Sequence, residues 1–102
     1  MDAANFKESL INTAPPPTLS PAMEALWWDA KDDWTRAHDL VNELDSMDAM
    51  AVHAYLHRKQ GEQRNAEYWY QRSGGDYRHP ELDAEWWALV DGLAAQTSPN
   101  AR

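Results

Sequence analysis

Apolar residues recur along this chain at steps of three and four, and no stretch alternates apolar and polar residues for long enough to make a strand. The pattern predicts an all-α protein. Ser20-Pro21 opens the first strong helix, pairing a hydroxyl cap with a ring whose missing N–H is not needed in the first turn. Leu26, Trp27 and Trp28 carry that helix to about Lys31. Asp32 and Asp33 offer a cap for a second helix, in which Trp34, Ala37, Val41 and Leu44 form one apolar stripe. The two fold back on each other as an αα-hairpin. Asp45-Ser46 caps a third helix, Met47 to Gln60, and Gly61 stops it. Met50, Ala51 and Ala54 lie on one face of this helix and Ala49, Val52 and Leu56 on another, which predicts that it is central. A fourth helix, Glu62 to Ser73, buries Ala66, Trp69, Tyr70 and Ser73 and ends at Gly74-Gly75. The fifth opens at His79-Pro80 and carries Leu82, Trp86, Leu89 and Leu93 as a seam that caps the stack.

The ends read differently. Residues 1–19 form an N-terminal segment, with Phe6, Leu10 and Ile11 in a weak helical pattern and Ala14-Pro15-Pro16-Pro17-Thr18 as a stiff linker. Residues 20–96 form the helical domain, and residues 97–102 are expected to be a loose tail, having nothing to bury.

Lys31 to His38 can be laid over Gln60 to Glu67 at an offset of 29 residues, Asp32 on Gly61 and Ala37 on Ala66. With Ala25 and Ala54 preceding the turns, this pattern resembles tetratricopeptide and Sel1-like helical repeats. The resemblance implies stacked hairpins whose backbones meet at the alanines while Trp34 and Tyr70 fill the wider gaps. The chain departs from the tetratricopeptide pattern in spacing, 29 rather than the usual 34 or so, and His53 and His57 stand where that family commonly has a leucine and a tyrosine. Two hairpins and a closing helix do not make a solenoid. A second run, His53 to Gly61 followed by Asn65-Ala66 and Tyr68-Trp69-Tyr70, resembles the signature of a family of small uncharacterised proteins, and implies no chemistry.

A length of 102 residues supports one domain, and six tryptophans and four tyrosines make its core aromatic. The formal charge of −8 repels phosphate backbones and anionic lipid, so neither nucleic acid nor a membrane surface is an expected partner. No run approaches the roughly 18–20 apolar residues of a membrane span, and no secretion signal is evident. With no cysteine, disulfides and thiolate metal sites are excluded, and a cytoplasmic location is the expectation. No glycine-rich phosphate cradle or calcium-loop spacing occurs, so no cofactor is expected.

His53 and His57 are four apart on a helix, the spacing of two metal ligands. Ala54 stands where a zinc-peptidase motif has its glutamate, and a third donor such as His38 or Glu67 has to arrive through packing, so the sequence by itself specifies no metal site. Asn65, Tyr68 and Arg72 share a face of the fourth helix, and if the hairpin turns that face inward they complete a polar-aromatic groove with the two histidines. Of the adjacent pairs Trp27-Trp28 and Trp86-Trp87, one indole each must sit at an edge, because neighbours on a helix point about 100° apart. No nucleophile is paired with a base. The reading is therefore a non-enzymatic protein- or peptide-binding or scaffold module, a monomer or weak dimer; the alternative is a small-ligand or metal-binding protein, or even an enzyme, centred on His53 and His57.

Overall fold

Four helices begin where a side-chain oxygen takes a backbone N–H that the first turn leaves free. In the computed structural model, which describes residues 1–97 and side chains as far as residue 94, these caps are Asp2 for α1 (Ala3–Glu8), Ser20 for α2 (Pro21–Ala30), Asp33 for α3 (Trp34–Val41) and Ser46 for α4 (Met47–Lys59). Two further helices, α5 (Gln63–Ser73) and α6 (Leu82–Thr97), complete an all-α fold with no strand among the described residues. Where the pattern predicts five helices there are six among the described residues, the extra one being α1, which a short 3-10 turn, Ser9–Ile11, extends. Thr97 closes α6, and the rest of the expected tail, 98–102, lies outside the described residues. None of the helices is long and apolar enough to cross a membrane.

The 29-residue repeat is visible bond by bond. At the first turn Asp32 N–H donates to Asp29 O (2.9 Å), Asp33 N–H to Trp28 O (2.9 Å) and Ala37 N–H to Asp33 O (3.1 Å). At the second, Gly61 N–H donates to Arg58 O (2.9 Å), Glu62 N–H to His57 O (3.0 Å) and Ala66 N–H to Glu62 O (2.9 Å). Asp32 and Gly61 both take a left-handed conformation, with φ of 65° and 80°. Only the second turn has the residue without a Cβ that this conformation favours.

α2 with α3 and α4 with α5 are the most closely packed pairs, and α4 also touches α2, α3 and α6, as its two apolar faces predict. Ala25, Ala37, Ala54 and Ala66 are buried where the hairpins close. Trp27, Leu26 and Met23 of α2 meet Val52 and Leu56 of α4 and Leu89 and Leu93 of α6 in one core. Trp27 and Trp86 point inward while Trp28 and Trp87 lie half-buried at the edge, each pair set nearly at right angles. The N-terminal segment docks on this core: Phe6 is buried against the Trp86 ring, Trp27 Nε1 donates to Ser9 Oγ (3.0 Å), and Lys31 Nζ donates to the carbonyls of Leu10 and Asn12. On the other side Glu85 of α6, 0% exposed, accepts from Arg58 of α4 and from the Tyr70 hydroxyl of α5, while Arg58 also donates to the carbonyls of His79 and Pro80. This network ties the start of α6 to the second hairpin.

Candidate metal centre

The helical step that puts His53 and His57 on one side of α4 also aims them at α3. α3 is fixed against α4 by Trp34, whose indole N–H donates to Leu56 O at 2.8 Å. One turn further along α3, His38 stacks on Trp34 (4.8 Å between ring centroids, 10° between planes) and turns its edge to α4. Nε2 of His38 is then 3.1 Å from Nε2 of His53, an N–H facing a lone pair. The His57 ring lies 5.0 Å from His38 and 4.8 Å from His53. All three residues offer a nitrogen within 4.8 Å of the other two. Trp69 of α5 stacks on His53 at 4.1 Å, so two indoles wall the cluster, Trp34 at the α3 side and Trp69 at the α5 side.

His53 and His57 are nearly out of reach of water, at 2% and 9% exposure, and His38 is half-buried. Burial disfavours the imidazolium form, and each ring disfavours a charge on its neighbour. Together these push His53 down to about 4 from the ordinary 6.5 and lower His38 as well, burial being the larger cause in both. At neutral pH these two rings are uncharged and present lone pairs, the state a metal ligand needs. Nδ1 of His53 is buried with no hydrogen-bond partner among the described residues.

His57 has a partner of a particular kind. Its Nδ1 lies 2.8 Å from Oε1 of Glu62, an N–H facing a carboxylate, so Nε2 is the nitrogen left to face the other two rings. The repeat shows what this arrangement displaces. In the first hairpin the equivalent carboxylate, Asp33, caps α3 by accepting from Arg36 N–H at 3.2 Å. Glu62 occupies the same backbone position before α5 but makes no side-chain cap, its carboxylate being turned back to His57. A missing cap leaves a helix short of about 1 kcal/mol.

Three imidazoles suit zinc, copper, iron or nickel rather than magnesium or calcium. Tetrahedral ligands about 2.0–2.1 Å from zinc stand about 3.3–3.4 Å apart. The 3.1 Å between His38 and His53 is within a few tenths of that spacing. The other separations in the trio reach at most 4.8 Å, up to about 1.4 Å wider than that spacing. The residues fit such an ion in donor type and partner, with one arm to be drawn in.

The five residues expected to share a groove do not converge. Asn65 and Tyr68 line a shallow depression with Glu62, Gln63 and Arg64. Tyr68 is 53% exposed, and the Arg72 guanidinium lies over the rings of Tyr68 and Trp69. Trp69, stacked on His53 and edge-on to Tyr68, stands between this outer shelf and the histidines. Of the two further donors weighed from the sequence, His38 arrives and Glu67 does not, being paired with Arg78. The pattern assigned Trp34 and Trp69 to the core and Glu62 to a helix start; the clue to Glu62 is a carboxylate five residues after a histidine at the end of a helix. No protein-family model, curated protein or solved structure matches the chain, so the site stands on its own geometry.

Proposed function

We propose that this chain is a metal-binding helical domain that holds one divalent transition-metal ion, of the zinc class, on His38, His53 and His57. The observation that carries the reading is the convergence of three imidazoles from two helices within 4.8 Å, next to a carboxylate that sets the proton on one of them. The ion joins α3 to α4 and so clasps the first hairpin to the second. Three protein donors leave a fourth position for water or for a donor from a partner.

Calorimetric titration of the metal-free protein with Zn2+, Ni2+ and Mg2+ tests it. The expected result is one Zn2+ or Ni2+ per chain and no Mg2+. His38→Ala, which alters a half-buried position and is checked for helicity, is expected to weaken binding at least about tenfold, as loss of a whole ligand exceeds loss of a ligand's partner. Absence of zinc binding, or wild-type zinc affinity in His38→Ala and His53→Ala, overturns the proposal.

A further inference from the structure

α4 carries a second i, i+4 pair, Tyr55 and Lys59. It is displaced by two residues from His53 and His57, and so lies about 200° round the helix from them. This face meets the end of α2, the start of α6 and the N-terminal segment around a cavity of about 350 Å³. That volume is in the range of small-molecule sites.

Its floor holds a buried carboxylate. Asp29, 2% exposed, accepts from Lys59 Nζ at 2.9 Å and from the Tyr55 hydroxyl. A carboxylate in the last turn of a helix opposes the helix dipole, and burial raises its pKa. The wall is aromatic: Trp86 and Trp87 meet edge to face at 5.3 Å. Lys7, on exposed α1, reaches across so that its Nζ sits 4.9 Å from the centre of the Trp87 ring. Asp32 and Asp83 stand exposed on the rim and form no ion pair among the described residues. Three carboxylates thus face two ammonium groups, one neutralised by Asp29 and the other lying on an indole. The excess field is negative and felt within the cavity: Asp32 helps to raise Asp29, and Asp29, Glu85 and Asp83 add to burial in raising the Tyr55 phenol.

We propose that this cavity binds a small organic ammonium ion, a primary or quaternary amine with a short apolar body. The cationic head takes the Trp87 face that Lys7 covers, within reach of the field of Asp83 and Asp32, and the apolar body lies against Leu10 and Trp86. The Lys7 ammonium is the chain's own stand-in, showing that the face accepts a cation. Because the lysine stem is flexible and exposed, an incoming ammonium displaces it without disturbing the core. The site is independent of the histidines.

Benzylammonium is the probe, with benzyl alcohol as its neutral near-isostere, titrated against the full chain by calorimetry and by proton NMR of the indole N–H signals. Saturable one-to-one binding of benzylammonium is expected, about tenfold tighter than benzyl alcohol, the discrimination a desolvated cation–π contact provides. Lys7→Ala, by vacating the ring, is expected to tighten binding severalfold, Asp83→Asn to weaken it severalfold, and Trp87→Leu to remove the preference for the cation. His38→Ala leaves all of this unchanged. Lys7 and Asp83 are surface positions, so both variants fold and each gives an answer even if Trp87→Leu does not. Equal binding of alcohol and ammonium, unchanged or weaker affinity in Lys7→Ala, or no saturation by about 10 mM probe overturns the proposal.

Discussion

Replacing Glu62 with alanine separates a metal centre from a packing arrangement. In the metal-free protein the Glu62 carboxylate, 48% exposed on its side chain, makes one hydrogen bond to His57 and caps no helix. Its removal is expected to change stability by no more than about 0.5 kcal/mol, a shift of about 2–4 °C in Tm for a chain of this size. With metal bound the same carboxylate orients the His57 ring and holds its proton on Nδ1, and loss of such a partner lowers metal affinity by about 10- to 100-fold. At a zinc concentration 100 times the wild-type Kd, the ion stabilises the wild-type fold by about 2.7 kcal/mol. The same zinc then stabilises Glu62→Ala by only about 1.4 kcal/mol at a tenfold loss, or about 0.4 kcal/mol at a hundredfold loss. The assay is a pair of thermal melts, with and without zinc, anchored by competition against a colorimetric chelator. Asp33→Ala is the internal control, since its carboxylate sits at the same point of the repeat but caps α3. It is expected to lower stability by about 1 kcal/mol and to leave zinc affinity alone. Equal zinc affinity in Glu62→Ala and wild type, or a metal-free melt that falls as far as the zinc-bound one, refutes the role assigned to Glu62.

Glu85→Ala leaves Arg58 without its buried anion and is expected to cost about 3–5 kcal/mol in urea denaturation, whereas Tyr70→Phe, which removes one bond to the same carboxylate, costs about 1–3 kcal/mol. A Cβ on Gly92 meets the Tyr77 ring at 2.3 Å, so Gly92→Ala is expected to destabilise by about 1–3 kcal/mol although alanine favours helix; in a Tyr77→Ala background it stabilises instead by up to about 1 kcal/mol, and a destabilising effect in both backgrounds rules out the clash. Asp32→Gly relieves a left-handed residue and stabilises by about 0.5–1 kcal/mol, while Gly61→Ala, which meets no atom and suffers only in its backbone, destabilises by about 1–2 kcal/mol. In metal-free protein the His53 ring has a folded pKa of about 4 against 6.5 unfolded, so the unfolded chain takes a proton first. Its contribution to stability is complete above pH 6.5 and lost as the pH falls through 4, by up to about 3 kcal/mol, and His53→Gln should flatten the wild-type slope of urea stability against pH in that window.

Much of the fold is local chemistry and so could be read along the chain. Ser20, Asp33 and Ser46 cap the helices they precede, Gly61 and Gly74 take the left-handed conformation after helices, and the doubly apolar α4 is central. What escaped is what depends on distant partners. Phe6, Leu10 and Ile11 show a weak periodicity, yet Phe6 is buried because α6 presents Trp86 to it, eighty residues along the chain. Glu85 reads as a charge on a solvated face and is instead enclosed, since Arg58 and Tyr70 arrive from α4 and α5 to satisfy it.

The candidate site divides along the same line. Helical spacing aligned His53 with His57, but the third donor depends on how α3 lies against α4, which the Trp34 indole fixes through a bond that no periodicity reports. Spacing also aligned Asn65, Tyr68 and Arg72 but not the direction of their face, where Tyr68 is 53% exposed and Trp69 is the residue stacked on His53. The internal repeat supplies the sharper argument. Two turns with the same hydrogen bonds place a carboxylate at the same point, and in one copy it caps its helix while in the other it turns to a histidine. Backbone geometry is similar in the two cases, but aspartate is the residue that caps well, and the longer glutamate instead reaches His57, which stands where the first copy has Trp28. Packing alone is served by the tryptophan and the cap. A half-exposed glutamate drawn off its helix to hold the proton of a nearly buried imidazole, beside two others kept neutral by burial, makes physical sense when the freed lone pairs have a common ligand.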